Sequence, residues 1–165
     1  MKRYGIAIVA LAALAFAGRA GAQELGRLAL DDAGAIGTRI ATDTTVAIEG
    51  LASVRVDTAW PTTVNLGEID GLDVDGAKLL FTAQVRSAGL VGVAYLEMWA
   101  HFGKKAYFSR GLDATIAGTG DWRRLEVPFL LRPGQRPDRV TLNLVIKGNG
   151  TVWVDDARLL RRPLP

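Results

Sequence analysis

The chain has 165 residues, with 20 basic and 17 acidic side chains, one histidine and no cysteine. The absence of cysteine excludes a disulfide scaffold, a thiol nucleophile and a lipid-accepting residue behind a leader. The formal charge of +3 falls to balance once Lys2, Arg3 and Arg19 are assigned to a leader, so net charge makes no case for an acidic partner.

Residues 1–22 read as a secretory signal peptide. Lys2 and Arg3 precede an apolar run from Ile6 to Phe16, and Ala20-Gly21-Ala22 supplies a small-x-small cleavage pattern before Gln23. The run is too short to span a bilayer, so a periplasmic or extracellular product with no membrane insertion after cleavage is expected. Residues 23–37 carry little pattern and are expected to be a loosely held lead-in. Residues 38–162 are expected to form one domain.

Through that domain, period-two alternation of β-branched and aromatic residues recurs about every ten residues, and no helical periodicity persists. The predicted strands lie near Gly37 to Thr45, Leu51 to Thr58, Ala77 to Ser87, Gly92 to Phe102, Ala106 to Arg110, Trp122 to Leu131, Arg139 to Lys147 and Thr151 to Leu160. Asp70-Gly71, Asp75-Gly76, Gly103-Lys104, Gly118-Thr119-Gly120 and Pro133-Gly134 supply turn chemistry between them. Asn149 and Gly150 tolerate positive φ, which predicts a hairpin joining the last two strands. The pattern predicts an all-β, antiparallel β-sandwich.

Three stretches carry a resemblance: DTTVAIEGLASVRVD at 43–57, GDWRRLEVPF at 120–129 and GNGTVWVDDARL at 148–159. Together they resemble the jelly-roll carbohydrate-binding modules of the galactose-binding-like sandwich type, over roughly residues 38–160. The resemblance implies jelly-roll topology and a non-catalytic binding domain whose partner is a carbohydrate. A structural or protein-interaction sandwich contacting a cell-envelope component, with no sugar ligand, is the alternative.

Alternation within YLEMWAHF puts Tyr95, Glu97, Trp99 and His101 on one face and Leu96, Met98, Ala100 and Phe102 on the other. Phe81, Ala83 and Val85 read as core, sending Thr82, Gln84 and Arg86 to the opposite face. Val140, Leu142, Leu144 and Ile146 likewise point inward, leaving Asn143 outward. In the modules that the chain resembles, a concave sheet presents aromatic rings and planar hydrogen-bonding groups to a sugar chain. By strand position, the equivalent set is Trp99, Tyr95, Glu97, His101, Gln84, Arg86 and Asn143. A sugar's C–H face packs on an indole while its hydroxyls take donors and acceptors. The competing reading is an ordinary sandwich surface whose Trp99 is covered by a loop. Of Tyr107 and Phe108 one points in and one out, and Tyr107 could extend the face.

The other tryptophans read as structural. Trp122 and Trp153 belong to the matching strands and are expected to pack, while Trp60 either plugs the end of the sandwich or closes a groove.

Catalysis lacks its parts. Glycoside hydrolysis needs two carboxylates across a cleft, and only Glu97 can be placed on the candidate face. There is no Gly-x-Ser-x-Gly elbow, and His101 has no assignable nucleophile. Arg123, Arg124, Arg132, Arg136 and Arg139 are spread without a helix or aromatic interleaving, which argues against nucleic acid. No cofactor is expected. Asp70, Asp73 and Asp75 fail the calcium-loop pattern at Gly71 and Thr82; Asp155-Asp156 matches a position where the resembling modules bind a structural calcium, though their N-terminal ligand pattern is not evident here.

Overall fold

In the computed structural model, residues 21–30 and 39–164 are described. The signal-peptide reading therefore falls almost wholly outside the described residues. Eight strands follow one another: β1 (Gln23–Arg27), β2 (Arg39–Asp43), β3 (Ser53–Thr58), β4 (Thr62–Asp70), β5 (Lys78–Phe102), β6 (Lys105–Arg110), β7 (Ile116–Leu130) and β8 (Arg139–Arg162). No helix is found among the described residues.

Two very long strands organise the fold. β5 and β8 have 25 and 24 residues and pair antiparallel along their whole length, from Lys78↔Arg162 to His101↔Arg139. This overturns the expected hairpin at Asn149-Gly150, because residues 139–147 and 151–160 are parts of one strand and do not pair with each other. Gly150 sits at φ 141°, a positive value open to glycine but far from that of a two-residue hairpin turn, and Asn149 is not among the positive-φ residues. The glycines here serve close approach instead. A Cβ on Gly148 would overlap the Val91 carbonyl oxygen, and one on Gly92 the Lys147 carbonyl oxygen. Only glycine lets the two backbones come this near where the ribbon bends.

That bend divides the ribbon between two layers. In the first, the N-terminal half of β5 and the C-terminal half of β8 are flanked by β7 on one side and by β3, with β2 beyond it, and β1 on the other. In the second, the other halves are flanked by β6 and β4. Phe81, Val85, Val154 and Leu125 of the first layer share one core cluster with Leu96, Met98, Leu142 and Leu144 of the second. The ribbon thus folds back on itself as an antiparallel β-sandwich around a single core.

Register shifts at the bend and at Asp156 reset which residues point inward. Inward positions are odd in the first half of β5 (Leu79, Phe81, Ala83, Val85) and even in the second (Ala94, Leu96, Met98, Ala100). Within each half the expected core assignment holds. Strand β4 was not foreseen, because its inward Val64 and Leu66 are followed by a bulge at Gly67, which breaks the alternation before Ile69. Within the expected lead-in, Gln23–Arg27 forms β1 and pairs with Arg158–Arg161. Trp60 is 52 % exposed and does not plug the sandwich.

Candidate functional site

The outer face of the second layer carries a row of aromatic and polar groups across four strands. Its centre is Glu97, on the second half of β5, with only 5 % of its surface exposed. Glu97 Oε1 accepts from Trp99 Nε1 at 2.7 Å and from Asn143 Nδ2 at 3.3 Å, while Oε2 accepts from Arg110 Nε at 2.7 Å. Burial pushes the Glu97 carboxyl up, but the bonds from Arg110, Trp99 and Asn143 outweigh it and hold the group below the usual carboxylate range. An ionised, triply bonded carboxylate is an anchor, and it fixes the orientation of the indole.

Trp99 is half-buried. Its ring lies 5.0 Å from that of Phe108, tilted by 44°, and the Arg110 guanidinium sits 4.5 Å from the Phe108 ring centre. Phe108 is 50 % exposed, so the pair presents an aromatic step to solvent. Tyr107 is equally exposed but meets Phe102 instead, at 5.9 Å. The expected split of one inward and one outward side chain holds, since Phe108 stands opposite Trp99 on the outer face and Tyr107 opposite Ala100 on the inner one, where Phe102 packs against the core; it is Phe108 and not Tyr107 that extends the row.

Beyond Trp99 the row continues through His101. The Thr141 hydroxyl donates to Glu68 Oε1 at 2.8 Å, which leaves His101 Nε2 to donate to Thr141 Oγ1 at 2.9 Å. Glu68 also faces Arg139 at 3.5 Å. Tyr95 is buried on the same strand.

Of the seven residues selected from sequence, Trp99, Tyr95, Glu97, His101 and Asn143 come together here. Gln84 and Arg86 do not, and their placement beside Glu97 is corrected. They stand on the first half of β5, across the bend, where Gln84 lies opposite Asp155 and Arg86 stacks 5.6 Å from the ring centre of Trp153. A face projected along one continuous strand cannot cross a bend that sends its halves to different layers.

Three contributors were missed: Phe108, Arg110 and Glu68. The first two were within reach of the sequence. A two-residue turn at Gly103-Lys104 pairs Phe102 with Lys105, and that register puts Phe108 opposite Trp99 and Arg110 opposite Glu97. Glu68 lay on the unforeseen β4.

The Asp155-Asp156 position does not fit a cation. Asp155 Oδ2 accepts the backbone N–H groups of Ile48 and Glu49 at 2.9 and 3.1 Å. Asp156 is bonded by Arg158 Nε, while Arg158 Nη2 holds Glu49 at 2.7 Å and Arg27 Nη1 holds Glu49 at 3.0 Å. Two guanidinium groups already supply the positive charge that a calcium ion would bring.

No protein-family model and no curated protein matches the chain. Solved structures do. The CBM22-1–GH10 modules of Clostridium thermocellum xylanase Xyn10B, complexed with xylohexaose, superpose with TM-score 0.63 at 13 % identity. That match covers 84 % of this chain but 28 % of the xylanase chain. The CBM22-1 xylan-binding domain of Paenibacillus barcinonensis Xyn10C gives 0.60 at 11 % identity, covering 90 % of this chain and all of that one. A Stig cyclase, Fisc from Fischerella sp. TAU, gives 0.59 at 14 %, covering 80 % and 79 %. Two of these neighbours, the xylanase and the cyclase, are enzymes, so the fold by itself does not decide the chemistry. At these identities the likeness is one of fold: the chain has the β-sandwich fold of the jelly-roll carbohydrate-binding modules.

Proposed function

We propose that this chain is an exported, non-catalytic carbohydrate-binding domain, matured by removal of residues 1–22, whose ligand lies across the outer face of the second layer. The observation that carries the reading is the Trp99–Phe108 pair: a half-buried indole packed at a tilt against a half-exposed phenyl ring, with its N–H fixed by a buried carboxylate. A sugar ring packs its C–H face on this step. Arg110, His101 and Thr141 stand within reach of its hydroxyls, while Glu97 and Asn143 hold the platform in place. Such a preorganised aromatic surface needs little ordering on binding. The low proton affinity of Glu97 makes it a poor general acid, in keeping with a binding role. The xylan-binding domain and the xylohexaose complex named above support xylan as the first ligand to try.

The test is affinity electrophoresis of the purified protein through gels containing soluble polysaccharides, xylan among them, beside Trp99→Ala and Phe108→Ala. Retardation in one polysaccharide, reduced at least about tenfold in apparent affinity by Trp99→Ala, is the expected result. A folded protein that no polysaccharide retards would sink this reading and leave a protein-interaction sandwich of the cell envelope.

A further inference from the structure

The first layer has its own outer face, and it is chemically unlike the second. Between β1, β5, β7 and β8 lies a cavity of about 470 Å³, lined by Glu24, Thr82, Gln84, Arg124, Arg158 and Arg162 among others. Three guanidinium groups therefore face two carboxylates, Glu24 and Asp156. Both carboxylates are engaged by the same arginine: Arg158 Nε bonds Asp156, and its Nη1 meets Glu24 at 3.4 Å. Arg124 and Arg162 form no ion pair among the described residues, and the lining carries one positive charge in excess.

A second observation points to a ligand. Thr82 lies on the cavity wall with 3 % of its surface exposed, makes no side-chain hydrogen bond, and yet is not a sealed orphan. Its hydroxyl therefore opens on the cavity. In the β5 ladders Gln84 lies opposite Arg124, and Thr82 lies between Arg158 on β8 and Glu126 on β7, so an amide and a hydroxyl form a polar floor flanked by Arg124 on one side and Arg158 on the other. Leu160 adds an apolar flank.

We propose that this cavity is a second binding site, for a carboxylate-bearing saccharide such as a run of uronic-acid residues in an acidic glycan. Arg124, opposite Gln84, and Arg162, opposite Lys78, stand at opposite ends of the cavity and take carboxylates of different residues of the glycan, while Thr82 and Gln84 take ring hydroxyls. Guanidinium forks suit a planar carboxylate, and a charge-assisted pair in a concave site contributes more than one on an open surface. The volume is in the range of small-ligand pockets. The site lies on the layer opposite the Trp99–Phe108 step and does not rest on the reading proposed for that face.

Isothermal titration of the purified protein with a galacturonate trimer, a neutral hexose trimer of equal length and sodium acetate tests this. Saturable binding of the galacturonate trimer alone, weakening as salt rises, is expected. Arg124→Ala/Arg162→Ala should lower its affinity at least about tenfold, and Thr82→Val by a few-fold. The charge-matched control Lys104→Ala/Arg132→Ala should leave it unchanged. Failure of the galacturonate trimer to bind, equally good binding of acetate or of the neutral trimer, or an equal loss in the control would each overturn the proposal. Thermal melts establish that every variant is folded.

Discussion

Trp99 and Trp153 are nearly the same residue in chemical terms, and the two layers treat them differently. Each donates its indole N–H to a carboxylate, Trp99 to Glu97 at 2.7 Å and Trp153 to Asp43 at 2.9 Å. Each sits on the outer face of a layer. Yet Trp153 is 9 % exposed, because Arg55 and Arg86, its partners on the two adjoining strands, lie against its ring at 5.4 and 5.6 Å. Trp99 has Thr141 on one side and Phe108 on the other, and part of its ring stays open. What decides whether an indole is structure or platform is therefore its cross-strand neighbours.

The largest effect should come from breaking the bend that sends the two tryptophans to separate layers. Gly148→Val forces a side chain into the Val91 carbonyl, and should cost about 4 kcal/mol or more of unfolding free energy in a urea titration. A near-normal midpoint would show that the ribbon does not depend on this approach.

Next is the comparison itself. Trp153→Ala removes a covered ring and should cost about 3 kcal/mol, whereas Trp99→Ala should cost about 1 kcal/mol, since its ring is only partly sequestered. Equal losses in the two variants would remove the distinction between a packed indole and an open one.

Glu97→Gln sharpens the account of how Trp99 is held. It keeps the shape but weakens the bonds to Trp99 and Arg110, and about 2 kcal/mol of stability should be lost. Tryptophan emission should shift as the Trp99 ring gains freedom; an unchanged spectrum and midpoint would leave Glu97 without that role.

The smallest effect is in pH dependence. Glu97 titrates below its usual range in the folded chain, so its contribution is fully present above the unfolded carboxylate's value of about 4.3. It is lost as pH falls through the folded value. Asp43, held down chiefly by the bond from Trp153, behaves in the same sense. Urea midpoints taken from pH 6 to pH 3 should therefore fall, and the fall should be shallower in Glu97→Gln than in the parent; parallel curves would contradict this assignment.

Much of this organisation was legible residue by residue. Strict alternation identified the inward set of each strand segment, from Phe81, Ala83 and Val85 to Leu142, Leu144 and Ile146, because one buried face demands a period of two. The same pattern put Glu97 and Trp99 side by side. It also offered the Phe108–Trp99 register, through the tight turn at Gly103-Lys104. The pattern failed wherever a bulge reset the parity, as at Gly67, and wherever a glycine had two possible uses.

Sequence by itself thus determined the all-β class, the core residues and the local face on which each polar side chain stands, since these follow from backbone pleat and apolar spacing over a few residues. Tertiary structure alone decided which segments share a sheet. Asn149-Gly150 carries the chemistry of a hairpin turn, but Gly148 and Gly150 are drawn instead into close contact with the backbone of Val91 and Gly89 on β5. That choice between local turn and distant approach separates Gln84 and Arg86 from Glu97, and it rests on pairing energies spread along two strands of 25 and 24 residues, which no short stretch of sequence contains.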